Sequence, residues 1–262
     1  MVLANYYEEF LATVPLGEYR QTLMPIKTVE QDLPKDLNPL PDIYAHYWVE
    51  DIPAKGFPSY EVFFDKWWCE HLQALDRFVA QYFWGCSRDF VRTGFKARLY
   101  RTLISVLTQF HFAYLWREVC TLPLTASAEL DMAGIDAIVA MPDGKIVLSV
   151  KKVTYRREAA GEGRFSGSKQ MEQWKQVVEV AYTADSPENW ADKERRARQT
   201  HTRERFHLYY KLAAQLQRQL PNGFVVFRPE YPLGVERLLA TLPSEEKYIS
   251  WERTLYSCLE HK

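Results

Sequence analysis

Apolar residues recur at three- and four-residue steps in several stretches of the chain. In 60–83 the set is Phe63, Phe64, Trp67, Leu72, Leu75 and Phe78, which predicts a helix. In 95–118, Leu99, Leu103, Val106, Phe110 and Tyr114 form a stripe that predicts a longer one, with Ser105, Thr108 and Gln109 off it. The stretch 204–220 places Leu208, Leu212, Leu216 and Leu220 on one face and ends at Pro221-Asn222-Gly223. A short helix is expected over 5–14, and Ser244 is placed to cap a last one reaching Leu259. Seven prolines before residue 60 forbid long helices there, and 24–41 reads as an irregular arm.

After Pro123 the period changes. Residues 135–141 are β-prone, Pro142-Asp143-Gly144 signals a turn, and 146–153 alternates, which together predict a β-hairpin. Residues 155–170 are charged, carry three glycines and read as a loop, while 224–227 reads as a buried strand. Helix, hairpin, helix and strand in this order predict an α/β fold with a central mixed sheet flanked by helices.

With 262 residues, 47% of them hydrophobic and 15% aromatic, the chain can bury a core without a disulfide or metal staple and is not of disordered composition. No apolar run approaches a membrane span, and the acid pair Glu8-Glu9 near a start without basic residues does not suit a secretory signal. Cys69, Cys86, Cys120 and Cys258 make no CxxC pair, which argues against a zinc ribbon and predicts reduced thiols in the cytoplasm. The net charge is only −1. Its distribution is uneven, acidic in 1–60 and basic in 151–205, which hints at an anionic partner for the basic segment.

Charges stand inside or beside the hairpin's apolar sequence, among them Asp131, Asp136, Lys151 and Lys152. Buried charge needs a partner or a metal. Alternation puts Ser149 and Lys151 on one face and Leu148, Val150 and Lys152 on the other. If Met141 pairs with Ile146, Asp136 falls opposite Lys151, and a carboxylate meets an ammonium. That arrangement suits metal-assisted hydrolysis of a phosphodiester, since magnesium takes one or two protein carboxylates plus substrate oxygens. A lysine beside it can orient water or stabilise charge on the phosphate. Asp131 is placed to share the metal, and Glu118 on the long helix is a further candidate. The plainer alternative is an Asp–Lys pair closing a hairpin edge.

Asp136 followed by Ser149-Val150-Lys151 resembles the PD-(D/E)xK nuclease superfamily. More specifically, the chain is similar to the TaqI family of type II restriction endonucleases. The matching segments run from 25–34 and 37–41 through Tyr82-Phe-Trp-Gly-Cys-Ser87, Ala97-Arg-Leu-Tyr-Arg-Thr102, Thr108-Gln-Phe-His-Phe112, Gly134-Ile-Asp-Ala137 and Asn222-Gly-Phe-Val225 to the region of Trp251. The resemblance implies a restriction-endonuclease-like core: one nuclease domain over 1–262, with a helix-rich N-terminal region to residue 90 and a catalytic core from 91. It implies a magnesium-dependent enzyme that cuts double-stranded DNA at TCGA, after T, leaving a two-base 5′ overhang. A companion adenine-specific DNA methyltransferase would protect the host. Carried over, Asp131 and Asp136 are metal ligands and Lys151 the catalytic lysine, with the adjacent Lys152 an open alternative. Ser149 departs from the family's glutamine. It could hold a water on the metal, with the Val150 carbonyl as a direct ligand.

DNA affinity needs phosphate-neutralising bases. Arg156, Arg157, Arg164, Lys169, Arg195, Arg196, Arg198, Arg203 and Arg205 follow the hairpin and are the candidates. A palindromic site mirrors a two-fold protein, so a homodimer on DNA is expected. His111, His201 and His207 read as packing or surface residues. A structure-specific repair or recombination nuclease of the same fold, and a non-catalytic DNA-binding module, are the other readings the sequence leaves open.

Overall fold

The computed structural model describes residues 2–26, 32–142, 144–154, 176–243 and 245–260. The chain opens with helices α1 (Val2–Thr13), α2 (Leu16–Thr22) and α3 (Leu40–Tyr47), followed by α4 (Tyr60–Glu70), α5 (Leu72–Tyr82) and α6 (Arg88–Val119). The prolines keep the first helices short, and Pro41 sits in the first turn of α3, where its missing N–H has no helical partner to lose. The single helix expected over 60–83 is two helices. They part at His71, whose ring Nδ1 lies 2.9 Å from the Trp67 carbonyl that its own backbone N–H also uses.

The long helix is longer than its stripe. Ser87 accepts a hydrogen bond from the Phe90 N–H at 3.2 Å and starts α6 seven residues before 95. Every residue from Phe110 to Trp116 is buried, so this half of α6 forms the middle of the molecule. It packs against α1 and against elements from the C-terminal third.

After α6 come β1 (Leu124–Thr125), α7 (Ala128–Met132), β2 (Ala137–Met141) and β3 (Gly144–Lys152), then β4 (Gln176–Tyr182), α8 (Pro187–Arg196) and α9 (Thr200–Lys211). The chain ends through β5 (Gln217–Gln219), β6 (Val225–Phe227), α10 (Glu230–Thr241), β7 (Tyr248–Ile249) and α11 (Trp251–Glu260). The main sheet has the order β1-β2-β3-β4-β7, antiparallel as far as β3 and parallel beyond it. The expected mixed sheet between helices is therefore present. Strand β4 and helix α10 have no counterpart in the pattern-based expectations. The helix expected over 204–220 ends at Lys211, widens to a π turn over Leu212–Leu216 and becomes β5, because Gln217–Gln219 pairs with β6. The wider turn still keeps Leu212 and Leu216 buried. The last helix starts at Trp251, and Ser244, expected as its cap, lies outside the described residues. The loop expected over 155–170 lies outside them too.

The sheet has two unequal faces. Val139, Ile146, Leu148, Val150, Val178 and Val180 point into the main core. Ile138, Val147 and Val177 point the other way, into a small cluster with Ile135 under Leu130 and Tyr248. That second face turns polar toward the C-terminal ends of β3 and β4, and the candidate site begins there. Among the described residues, no helix is long and apolar enough to cross a membrane.

Candidate active site

The hairpin register differs from the expected one. Met141 pairs with Gly144 and Ala137 with Leu148, so Asp136, one step further, stands opposite Ser149 rather than Lys151. The connection is two residues shorter than assumed. A shift of two leaves every side chain on its own face, so Asp136, Ser149 and Lys151 still share one. Lys152 points to the other.

Asp131 and Asp136 meet because of the turn between them. Ser127 caps α7, its hydroxyl accepting from the Leu130 N–H at 3.3 Å. The helix stops at Gly134, whose φ is +80°. Gly134 N–H donates to the Asp131 carbonyl at 2.8 Å and Ile135 N–H to the Leu130 carbonyl at 2.9 Å. Ile135 packs on Leu130, which completes a Schellman stop and sends the chain straight into β2. A Cβ at position 134 would touch nothing, so Gly134→Ala should cost only the left-handed backbone penalty, about 1–2 kcal/mol. The expected result is a melting temperature lower by about 2–8 °C, with a weaker response to divalent cations. Thermal denaturation with and without cation checks both.

Asp136 is half-buried among donors. Its Oδ2 accepts from the Val150 N–H at 2.6 Å and its Oδ1 from Gln109 Nε2 at 2.9 Å. The Ser149 hydroxyl donates to the same carboxylate. These bonds favour the charged form, yet burial and the nearby Asp131 charge outweigh them and push the Asp136 carboxyl up to about 8. Burial likewise raises Asp131 to about 6, against a hydrogen bond from Tyr44 that favours its charge. Asp131 Oδ2 and Gln109 Oε1 are buried with no hydrogen-bond partner among the described residues. Two adjacent carboxylates that resist ionisation, with orphaned oxygens beside them, suit a cation.

Among the described residues, no three His, Cys, Asp or Glu side chains are arranged to hold a metal ion. A two-carboxylate magnesium site needs no third, because magnesium keeps several waters. The Val150 N–H points at Asp136, and in an extended strand the carbonyl of the same residue faces the same neighbour. Glu118 is engaged elsewhere, accepting from the Leu3 and Ala4 N–H groups at the start of α1.

Lys151 is a quarter exposed and forms an ion pair with Glu179 of β4, which is 1% exposed. Glu179 stands at the same register as Ser149, and its second oxygen accepts from the Trp251 N–H at 3.1 Å. Sequence reasoning missed it. The signal was present, because Val177-Val178-Glu179-Val180-Ala181 sets one acid in an apolar run. Gln109 was also missed as a partner. Nothing local connects it to Asp136, 27 residues away on another element.

Residues 4–239 match the family described as TaqI restriction endonuclease. This chain belongs to that family. It is 46% identical over 97% of its length to the type II restriction enzyme TaqI of Thermus aquaticus, covering 94% of that protein. It is 48% identical over 89% of its length to the type II restriction enzyme TthHB8I of Thermus thermophilus, covering 86% of it. No solved structure matches the chain. Family membership makes it, by class, a site-specific deoxyribonuclease of a restriction system.

The arginines expected at DNA divide in two groups. Arg156, Arg157, Arg164 and Lys169 lie outside the described residues. Of the others, Arg195 and Arg196 pair with Asp192, Arg205 pairs with Glu252, and Arg203 bonds the Ala197 carbonyl. Arg198 is exposed. His111 is fully buried between Glu8 and the Phe227 N–H, a packing role.

Proposed function

We propose that this chain is a single nuclease domain with a restriction-endonuclease-like core, and that it cuts both strands of duplex DNA at TCGA, after T. The observation that carries the reading is the half-buried Asp136 carboxylate, on the same sheet face as Lys151 and beside Asp131 of α7. Family membership supports the substrate class, and resemblance to the family supports the site.

Asp131 and Asp136 would hold a magnesium ion, with the Val150 carbonyl as a further ligand. When bound, the ion supplies Lewis acidity to a phosphate oxygen and makes water a better nucleophile. Gln109, Ser149 and the Val150 N–H fix the Asp136 carboxylate in one orientation. Lys151 puts its ammonium where negative charge builds on the phosphate. Glu179, anchored by Trp251, keeps that ammonium on the carboxylate face. Lys152, on the opposite face, takes no part in the chemistry. Two copies related by a two-fold axis each cut one strand of the palindrome. The partner activity is an adenine-specific methyltransferase acting on the same sequence in the cytoplasm.

Digestion of plasmid and phage DNA with magnesium tests this reading, with the fragment ends sequenced. Discrete fragments that all end in a 5′-CG overhang are expected. Junction-selective cutting would instead support a structure-specific nuclease, and intact DNA a binding module.

A further inference from the structure

We propose that the face of β3 opposite the carboxylates carries a second DNA contact, a groove that grips backbone phosphates of the same duplex. The proposal rests on the nuclease reading and adds to it a binding site. Successive strand residues point to opposite faces, so Lys151 turns toward Glu179 while Lys152 turns away. Lys152 enters a groove of about 320 Å³ bounded by α2, α6 and the ends of β3 and β4.

Three cations from three elements line this groove: Arg20 of α2, Arg101 of α6 and Lys152. All three are exposed. No Asp or Glu is among its lining residues, counted over the described chain. Arg101 is braced at the rim by the Met24 and Ile26 carbonyls, each at 3.0 Å. The floor offers the hydroxyls of Ser105 and Tyr182, which lie 3.4 Å apart. Apolar side chains such as Leu16, Ile104 and Phe224 make up much of the rest of the lining, and the positive charge and hydroxyl donors set among them are the chemistry of phosphodiester binding.

Position selects a polymer over a free ion. The groove opens at the carboxyl ends of the parallel pair β3 and β4, the edge where ligands of such sheets bind. Lys151 and Lys152 are neighbours, with Cα atoms about 3.8 Å apart. A DNA strand held by Lys151 therefore passes the mouth of the groove, and the two lysines straddle the strand end. Contacts of this kind position the duplex and carry no sequence information.

The test uses the full chain with Arg20→Gln, Lys152→Gln and the double substitution. Arg101 is spared, because its bonds to the Met24 and Ile26 carbonyls are structural. Affinity for labelled duplexes with and without TCGA is measured in EDTA across a salt series. Each single substitution should weaken both duplexes alike and make the slope of log K against log salt shallower by about 0.9. In cleavage assays KM should rise more than kcat falls, at an unchanged melting temperature. Calorimetry with inorganic phosphate separates the sources. Tight binding of the ion that the substitutions abolish, with duplex affinity untouched, overturns the proposal in favour of a free-anion site. A double variant that keeps the wild-type slope, from a wild type that binds and cuts, overturns the groove alone. A wild type that neither binds nor cuts any duplex overturns the nuclease reading, and the groove with it.

Discussion

Asp136→Asn and Lys151→Met are each expected to slow DNA cleavage on the order of 10³-fold or more while duplex binding persists. The two changes remove different things. Asp136 is where the site's donors converge, and its carboxylate supplies the negative charge a cation needs. Asparagine keeps the shape and one acceptor. Rotation of the Gln109 amide then offers its unpartnered Oε1 to the new amide, so the fold survives. Alanine would leave the Val150 N–H and Gln109 without their acceptor, at about 1–3 kcal/mol each, and would confuse lost stability with lost chemistry.

Lys151→Met alone strands Glu179, which is 1% exposed, at a cost of about 3–5 kcal/mol for an uncompensated buried charge. The double variant Lys151→Met/Glu179→Gln removes both charges, and the new amide oxygen can still accept from the Trp251 N–H. It should recover most of the stability and none of the cleavage. Glu179→Gln alone should retain partial activity with a lowered kcat and little change in KM, because the ammonium is present but less fixed. Full activity in Lys151→Met, with the loss appearing at Lys152 instead, would reverse the facing assignment.

The second large effect is on stability against pH. Asp136 and Asp131 are held near 8 and 6, above the ordinary carboxyl value near 4. A raised carboxyl pKa means that the folded chain binds protons more tightly than the unfolded one. The pair's contribution is therefore fully present below about pH 4 and is lost as pH climbs through about 6 to 8. In EDTA, the melting temperature should fall between about pH 5 and 8.5. Asp136→Asn should flatten that fall and melt higher than the wild type at about pH 8. On the proposed reading magnesium would bind the charged pair, so it should stabilise the wild type more at about pH 8 than at about pH 5.5 and release protons on binding. Melting curves at several pH values, with and without magnesium, decide this. A wild-type profile in EDTA that Asp136→Asn leaves unaltered would show that the pair is not strained.

The sequence by itself determined the local part of this protein. A period of two on either side of Pro142-Asp143-Gly144 fixes a hairpin, and the isolation of Asp136 and Lys151 among β-prone residues marks the proposed site. Alternation also sorted Lys151 from Lys152, since side-chain parity survives the two-residue error in register. Tertiary structure decided everything that depends on distant segments meeting. Gln109 reaches Asp136 from α6, Glu179 reaches Lys151 from β4, and Arg20 joins Lys152 across more than a hundred residues. Hydrophobic periodicity reports which side of an element is buried, but not which element covers it. The pairing of β4 with β3 and the packing of α6 set those meetings, and with them the burial that raises the two carboxyls.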